Sequence, residues 1–127
     1  SGQMLHAGNS NPSDIGKHFE MMNGRIHTRS SINVAWQFTD VGPGDGGFVV
    51  VPGSHKSCYP VPQSVRTCND RAPIRHIPIR RGSILFFLAG AVCHGAYRWE
   101  AETPRRTALF TYGHDGRRPF AWPSGGS

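Results

Sequence analysis

The last third of the chain carries a histidine and an arginine pair at positions suited to bind a metal and an anion. His94 follows the apolar segment 82–88, and Arg105 and Arg106 precede another apolar segment, 107–110. An imidazole is a common ligand of divalent first-row metals, and a guanidinium binds a carboxylate through two parallel N–H bonds. A histidine on one strand facing an arginine on the next predicts a metal held beside a dicarboxylate.

Short apolar segments alternate with turn residues along the chain, which has 16 Gly and 10 Pro among its 127 residues. This pattern predicts an all-β fold with one domain, a sandwich or barrel, and no amphipathic helix of convincing length. Segment 32–39 alternates apolar and polar residues, which predicts a strand with one buried face. Strands are predicted at 3–7, 18–22, 25–29, 32–39, 48–51, 74–79, 83–88, 93–98 and 106–112. We expect a core over residues 1–112 and a Gly-, Arg- and Pro-rich surface tail over 113–127.

The net charge of +6 raises the question of a nucleic-acid partner. The arginines are scattered over strand ends and the tail, and no RNA-binding signature accompanies them, so we expect no nucleic-acid partner. No segment approaches the length of a membrane helix and no signal peptide is visible, so we expect a cytoplasmic protein without a membrane partner. Cys58, Cys68 and Cys93 form no Cys-x-x-Cys pair and are expected to be reduced, with Cys93 pointing away from the metal into packing.

A second motif lies in the middle of the chain, where the Gly-rich turn 42–47 is followed by Phe48 and then by Pro-Gly-Ser-His-Lys at 52–56. Taken with Gly82-Ser83-Ile84-Leu85-Phe86-Phe87, His94-Gly95 and Arg106-Thr107-Ala108-Leu109, it resembles the phytanoyl-CoA dioxygenase family over roughly residues 3 to 112. Members are non-haem Fe(II)- and 2-oxoglutarate-dependent oxygenases. The resemblance implies a double-stranded β-helix, a cupin-like jelly-roll barrel, which is incomplete at its N-terminus if the chain is a fragment.

The resemblance also implies roles for individual residues. His94 matches the distal iron-binding histidine, and Arg106 matches the arginine that binds the 2-oxoglutarate carboxylate, with Arg105 as the nearby alternative. Trp36 matches an aromatic position near the cosubstrate and is otherwise a plain core residue. Ala96 stands where many members have a serine that touches the cosubstrate, so that hydrogen bond is expected to be missing.

The first metal-binding motif departs from the family, which usually supplies His-x-Asp to complete a 2-His-1-carboxylate triad. The chain has no His-x-Asp. His6-Ala7-Gly8 ends the first predicted strand and is similar to the Leu-His-Gly-Gly of a family subgroup, whereas His18-Phe19-Glu20 would supply a carboxylate on the same side of a strand. We favour His6 as the metal ligand beside His94. The other histidines, His27, His55, His76 and His114, are expected at the surface or in loops.

The resulting hypothesis is an oxygenase that holds Fe(II) through His6 and His94, binds 2-oxoglutarate through Arg106, and uses dioxygen on a small organic or acyl substrate. One alternative is a halogenase-like variant, in which the glycine at position 8 leaves room for chloride on the iron. Another is a non-catalytic jelly-roll binding module, since a fold alone does not determine function. The substrate, the third iron ligand and the oligomeric state stay open.

Overall fold

The computed structural model describes residues 3–7, 19–23, 25–28, 30–57 and 59–113. Strands dominate these ranges, and the helices in them are a 3-10 turn and one short α-helix. The strands are β1 (Gln3–His6), β2 (Phe19–Met22), β3 (Arg25–Thr28), β4 (Ile32–Gln37), β5 (Gly47–Val50), β6 (Arg75–His76), β7 (Ile84–Leu88), β8 (His94–Tyr97) and β9 (Thr107–Tyr112). The 3-10 turn covers Ser54–Lys56, and α1 covers Gln63–Arg66. No helix in the described ranges is long and apolar enough to cross a membrane.

Two antiparallel sheets form the body of the fold. The first has the strand order β1-β8-β5-β6 and the second has the order β7-β4-β9, while β2 and β3 form a separate hairpin. The inner faces of the two sheets meet at aromatic rings, because Phe87 on β7 lies 4.6 Å from the His94 ring and 4.8 Å from the Phe48 ring, measured between centroids. The prediction of an all-β jelly roll is therefore confirmed.

Strand β4 lies in the centre of the second sheet and shows which of its faces points inward. In register with the inward Phe87 is Asn33, so Asn33, Ala35 and Gln37 share the inner face. Gln37 is 2% exposed, whereas Trp36 on the outer face is 45% exposed. The alternation was a correct sign of a strand, but the polar side of β4 faces the interior and the apolar side faces outward.

The outer face of the second sheet carries large apolar side chains from all three of its strands. Each of them is more than a third exposed in the described structure. They are Ile32, Trp36, Ile84, Phe86, Phe110 and Tyr112.

The principal apolar core packs against the outer face of the first sheet. Leu5, Val49 and Cys93 are almost fully buried there, and Val65 of α1 covers them. The expectation that Cys93 packs away from the metal side is confirmed. Burial raises the pKa of the Cys93 thiol to about 11, so the thiol stays protonated at neutral pH. Cys68, which packs against this cluster, is also a free thiol.

The Gly-rich turn before β5 is fixed by backbone contacts that leave no room for a side chain at Gly46. Gly46 has φ +87°, and a Cβ there would overlap the carbonyl oxygen of Arg98. Gly44 has a similar φ of +90°, but nothing lies within 4 Å of its Cβ position. The turn is held against the segment that follows β8 by a 2.9 Å hydrogen bond from the Glu100 N–H to the Asp45 carbonyl.

We expect Gly46→Ala to destabilise the protein more than Gly44→Ala. Both variants force a side chain into the left-handed region, at about 1–2 kcal/mol each. Only Gly46→Ala also drives a methyl group into the Arg98 backbone, which adds roughly 1–3 kcal/mol. Urea unfolding of the two variants measures the difference, and equal losses would show that the close approach of the turn to β8 is not maintained in solution.

Candidate metal and cosubstrate site

Strands β1 and β8 are neighbours in the first sheet and bring the rings of two histidines close together. His6 ends β1 and His94 begins β8, and the two residues are directly opposite in the antiparallel register. Their ring centroids are 4.4 Å apart. The structure therefore joins His94 to the histidine favoured from the sequence, whereas the alternative, His18, lies outside the described residues.

Both imidazoles are oriented by backbone carbonyls. The Nδ1 of His6 lies 3.0 Å from the Met4 carbonyl oxygen, and the Nδ1 of His94 lies 2.7 Å from the Val92 carbonyl oxygen. A carbonyl only accepts, so each Nδ1 carries the proton, and the neutral ring keeps its lone pair on Nε2. This is the tautomer in which a histidine with a fixed orientation binds a metal.

Aromatic rings surround His94 and keep water away from it. The ring centroids of Phe87 and Phe48 lie 4.6 Å and 6.0 Å from that of His94, and the residue is 7% exposed. Burial lowers the pKa of His94 to about 4 and outweighs the hydrogen bond to the Val92 carbonyl, which raises it. His94 is therefore neutral at physiological pH and able to bind a cation without first losing a proton.

The two arginines before β9 differ in how exposed their side chains are. Arg106 is exposed, and its backbone N–H donates to the Thr39 hydroxyl at 3.1 Å. Arg105 is half-buried, and its guanidinium lies over Gly47, whose Cβ would be 3.4 Å from Nη1. Sequence reasoning preferred Arg106, but the structure turns the neighbouring Arg105 into the fold.

The Arg105 guanidinium has no hydrogen-bond or ion-pair partner among the described residues. Burial lowers its pKa, which shows that its charge is partly removed from water. A half-buried cation without a counterion is costly, and a bound carboxylate would relieve that cost. A Cβ at Gly47 would lie at ordinary contact distance from the guanidinium, and the φ of +86° is what favours glycine at this position, so residue type gave no signal for Arg105 over Arg106.

The residue spacing along strand β5 gives an approximate distance from the histidine pair to the Arg105 guanidinium. Val50 pairs with His94, and Gly47, which touches Arg105, is three residues away on the same strand. Three residues correspond to roughly 10 Å along a strand. A metal at the histidines and a guanidinium at Gly47 are thus separated by about the reach of an extended five-carbon dicarboxylate.

Two further residues matched to the family, Ala96 and Trp36, lie on an inner and an outer face of the sheets, respectively. Ala96 pairs with Phe48 on the inner face between the histidines and Arg105, where its methyl group offers no hydrogen bond. Trp36 lies on the outer face of the second sheet, so the structure does not bring it to the site. The reason is the period of two along β4, which turns Gln37 inward instead.

Neither His55 nor His76 joins the pair. His55 is half-buried in the 3-10 turn, and His76 uses its Nε2 in a 2.6 Å hydrogen bond with the Gly46 carbonyl. His27 is on β3, and His114 lies outside the described residues.

A third protein ligand is not found where the structure is described. No group of three or more His, Cys, Asp or Glu residues there is arranged to hold a metal ion. The residue two positions after His6 is Gly8, which has no side chain to offer and lies outside the described residues. The arrangement therefore supplies two imidazole ligands and a nearby cation.

Comparison with known proteins supports the assignment of the chain to a jelly-roll fold. The model of the phytanoyl-CoA dioxygenase (PhyH) family matches residues 4–107, which contain both histidines and the arginine pair. The chain belongs to this family. PhyH proteins are non-haem iron oxygenases that use 2-oxoglutarate as a cosubstrate. No curated protein matches the sequence closely enough to add to this result.

Several solved structures share the PhyH fold with this chain. HygX from Streptomyces hygroscopicus, with nickel and 2-oxoglutarate bound, has a TM-score of 0.72 and 24% identity, and the match covers 91% of this chain and 51% of HygX. EctD from S. alaskensis, with 2-oxoglutarate and 5-hydroxyectoine, has a TM-score of 0.59 and 20% identity over 88% of this chain and 38% of EctD. The carbocyclase SnoK from nogalamycin biosynthesis has a TM-score of 0.58 and 18% identity over 88% of this chain and 43% of SnoK. The chain thus spans about half the length of HygX and less of the other two.

Proposed function

We propose that this chain forms the core of an Fe(II)- and 2-oxoglutarate-dependent oxygenase acting on a small organic molecule. The observation that carries the proposal is the His6–His94 pair, whose ring centroids lie 4.4 Å apart with both Nδ1 atoms held by carbonyls. Both Nε2 atoms are then available to one cation. Membership of the PhyH family supports iron as that cation.

In this proposal the two histidines hold Fe(II), and the protein's role is to orient, neutralise and exclude water. Phe48 and Phe87 keep the site apolar around His94. Arg105 binds the distal carboxylate of 2-oxoglutarate as a charge-assisted pair, while the 2-oxo acid end points toward the histidines. When bound, the iron supplies the dioxygen chemistry, in which 2-oxoglutarate is converted to succinate and carbon dioxide as the substrate is oxidised.

An anaerobic titration with Fe(II) and 2-oxoglutarate tests the proposal. The chelate of the two gives a weak visible charge-transfer band that neither component gives alone. We expect the band to appear with the wild-type protein and to saturate as 2-oxoglutarate is added. A folded protein that binds Fe(II) but gives no band would favour a jelly-roll binding module instead.

A halogenase-like variant is favoured by one specific observation, the glycine at position 8. A position without a side chain leaves a coordination site for an external ligand such as chloride. Repeating the titration with and without chloride separates the two cases. A band whose position shifts with chloride supports halide ligation. A band whose position is the same with and without chloride supports hydroxylation with a ligand from another part of the protein.

The proposed substrate class rests on the similar solved structures. HygX has been crystallised with hygromycin B, and EctD with 5-hydroxyectoine, which are small molecules. We therefore propose a small-molecule substrate for the present chain, and neither a nucleic acid nor a membrane as a partner. A cytoplasmic location is part of the proposal, since Cys68 and Cys93 are free thiols.

A further inference from the structure

The inner face of the second sheet carries a buried amide that the apolar packing does not explain. Gln37 is 2% exposed, although glutamine is mostly an exposed residue type. Its backbone is fully used, with the N–H donating to the Ser83 carbonyl and the carbonyl accepting from the Gly82 N–H. The side chain therefore needs a separate reason to be inside.

A hydroxyl on the neighbouring strand fixes the orientation of this amide. Thr107 is directly opposite Gln37 in the β4–β9 register, and its hydroxyl donates to the Gln37 Oε1 at 3.0 Å. With Oε1 occupied in this way, the Nε2 group points its two N–H bonds away from Thr107. No described residue accepts a hydrogen bond from Nε2.

The chain order places this donor beside Arg105. Arg105 is two residues before Thr107, so both side chains leave the same side of the segment that enters β9. Gln37 faces Thr107 from β4. An anion bound by the Arg105 guanidinium from this side would therefore lie within reach of the Gln37 amide.

Among the described residues of the first sheet, Ala96 and Phe48, which pair with each other on its inner face, are both apolar side chains and offer no hydrogen-bond donor. The second sheet contributes a donor from β4, Gln37, and one from the entry to β9, Arg105.

We infer that Gln37 donates a hydrogen bond to the distal carboxylate of 2-oxoglutarate, with Thr107 as the residue that orients its amide. The inference rests on the proposed function. Arg105 supplies the charge, and Gln37 makes the site select a 2-oxo acid that has a second carboxylate. A 2-oxo acid that ends in a methyl group would leave the Gln37 N–H groups and the guanidinium without an acceptor, which lowers its affinity.

The test compares two ligands that differ only at the far end. 2-Oxoglutarate and 2-oxopentanoate share the 2-oxo acid group, but 2-oxopentanoate has a methyl group where 2-oxoglutarate has its distal carboxylate. Binding is measured by calorimetry on the full chain loaded with Mn(II), which avoids turnover. We expect Gln37→Leu to weaken 2-oxoglutarate binding by about 10- to 100-fold, because a hydrogen bond to a charged group is lost. Binding of 2-oxopentanoate is expected to be unchanged.

Matched variants of two threonines separate orientation from general packing. Thr107 and Thr111 both lie on β9 and both donate to an amide oxygen of β4, Thr107 to Gln37 and Thr111 to Asn33 at 2.7 Å. Thr107→Val is expected to weaken 2-oxoglutarate binding by a few-fold, because the Gln37 amide is then no longer held. Thr111→Val removes an equivalent bond about four residues further from Arg105 and is expected to leave the affinity unchanged.

Three outcomes would overturn the inference. Equal weakening of both ligands by Gln37→Leu would show a structural role, and unchanged 2-oxoglutarate binding would show no contact. Equal effects of Thr107→Val and Thr111→Val would show that Thr107 does not orient the amide. If instead the wild-type protein binds Mn(II) but not 2-oxoglutarate, the proposed function itself fails, and the Gln37 inference fails with it.

Discussion

Replacing His94 by alanine is expected to abolish the Fe(II)–2-oxoglutarate band and to weaken metal binding by at least about 100-fold, since loss of outer-shell partners alone typically costs 10–100-fold. His94 is the more buried of the two facing imidazoles, and its Nδ1 bond to the Val92 carbonyl leaves Nε2 for the metal. His6→Ala is expected to have the same effect, because a single imidazole cannot chelate. Anaerobic titration with Fe(II), followed by calorimetry, measures both variants.

A histidine away from the pair provides the control for this experiment. His55 is half-buried in the 3-10 turn Ser54–Lys56, so His55→Ala removes an imidazole without touching the β1–β8 register. We expect its metal affinity to equal that of the wild type. If His55→Ala and His94→Ala lose affinity equally, or if His94→Ala still gives the band, the metal is bound elsewhere. Urea unfolding of each variant verifies that the loss is not caused by unfolding.

The positions of most strands along the chain were accessible from the sequence because turn residues mark many of the strand ends. Gly82 has φ +84° and precedes β7, and the turn 42–46 precedes β5, as their glycines predicted. The predicted strand at 74–79 shrinks to Arg75–His76, with Pro78 just beyond it. A proline lacks the N–H that a longer ladder would need. The short helix Gln63–Arg66 was missed, because four residues are too few for a periodic pattern.

The face of a strand that points inward was harder to predict. In β4 the apolar residues Ile32 and Trp36 suggested a buried side, but Gln37 is buried and Trp36 is exposed. Hydrophobic alternation identifies a strand, but it does not say which face is the interior when the inner face carries polar residues. The same parity separates Arg105 from Arg106, since one residue along an extended segment reverses the direction of the side chain.

The histidine pair depended on a contact between distant parts of the chain. His6 and His94 are both apparent as candidate ligands, but only the antiparallel pairing of β1 with β8 brings their rings together. Sequence reasoning favoured His6 over His18, which lies outside the described residues. The register adds the contact between His6 and His94, because strands that are far apart in the chain become neighbours in a jelly roll.

Replacing Arg105 by leucine is expected to weaken 2-oxoglutarate binding by roughly 100- to 1,000-fold, because a charge-assisted bidentate pair contributes two hydrogen bonds of about 1.5–3 kcal/mol each. Fe(II) affinity is expected to change little, since Gly47, which marks the guanidinium, is about 10 Å along β5 from the residue that pairs with His94. Calorimetry with each ligand separately measures the two effects.

The neighbouring residue Arg106 provides the control for this prediction. Arg106→Leu removes the same charge one residue further along, from an exposed side chain, so any general electrostatic effect of the basic protein on an anion is common to both variants. Of the two, Arg105 has its guanidinium over Gly47. A large loss confined to Arg105→Leu therefore assigns the carboxylate to the interior. A large loss confined to Arg106→Leu would mean that the segment entering β9 shifts by one residue when 2-oxoglutarate binds.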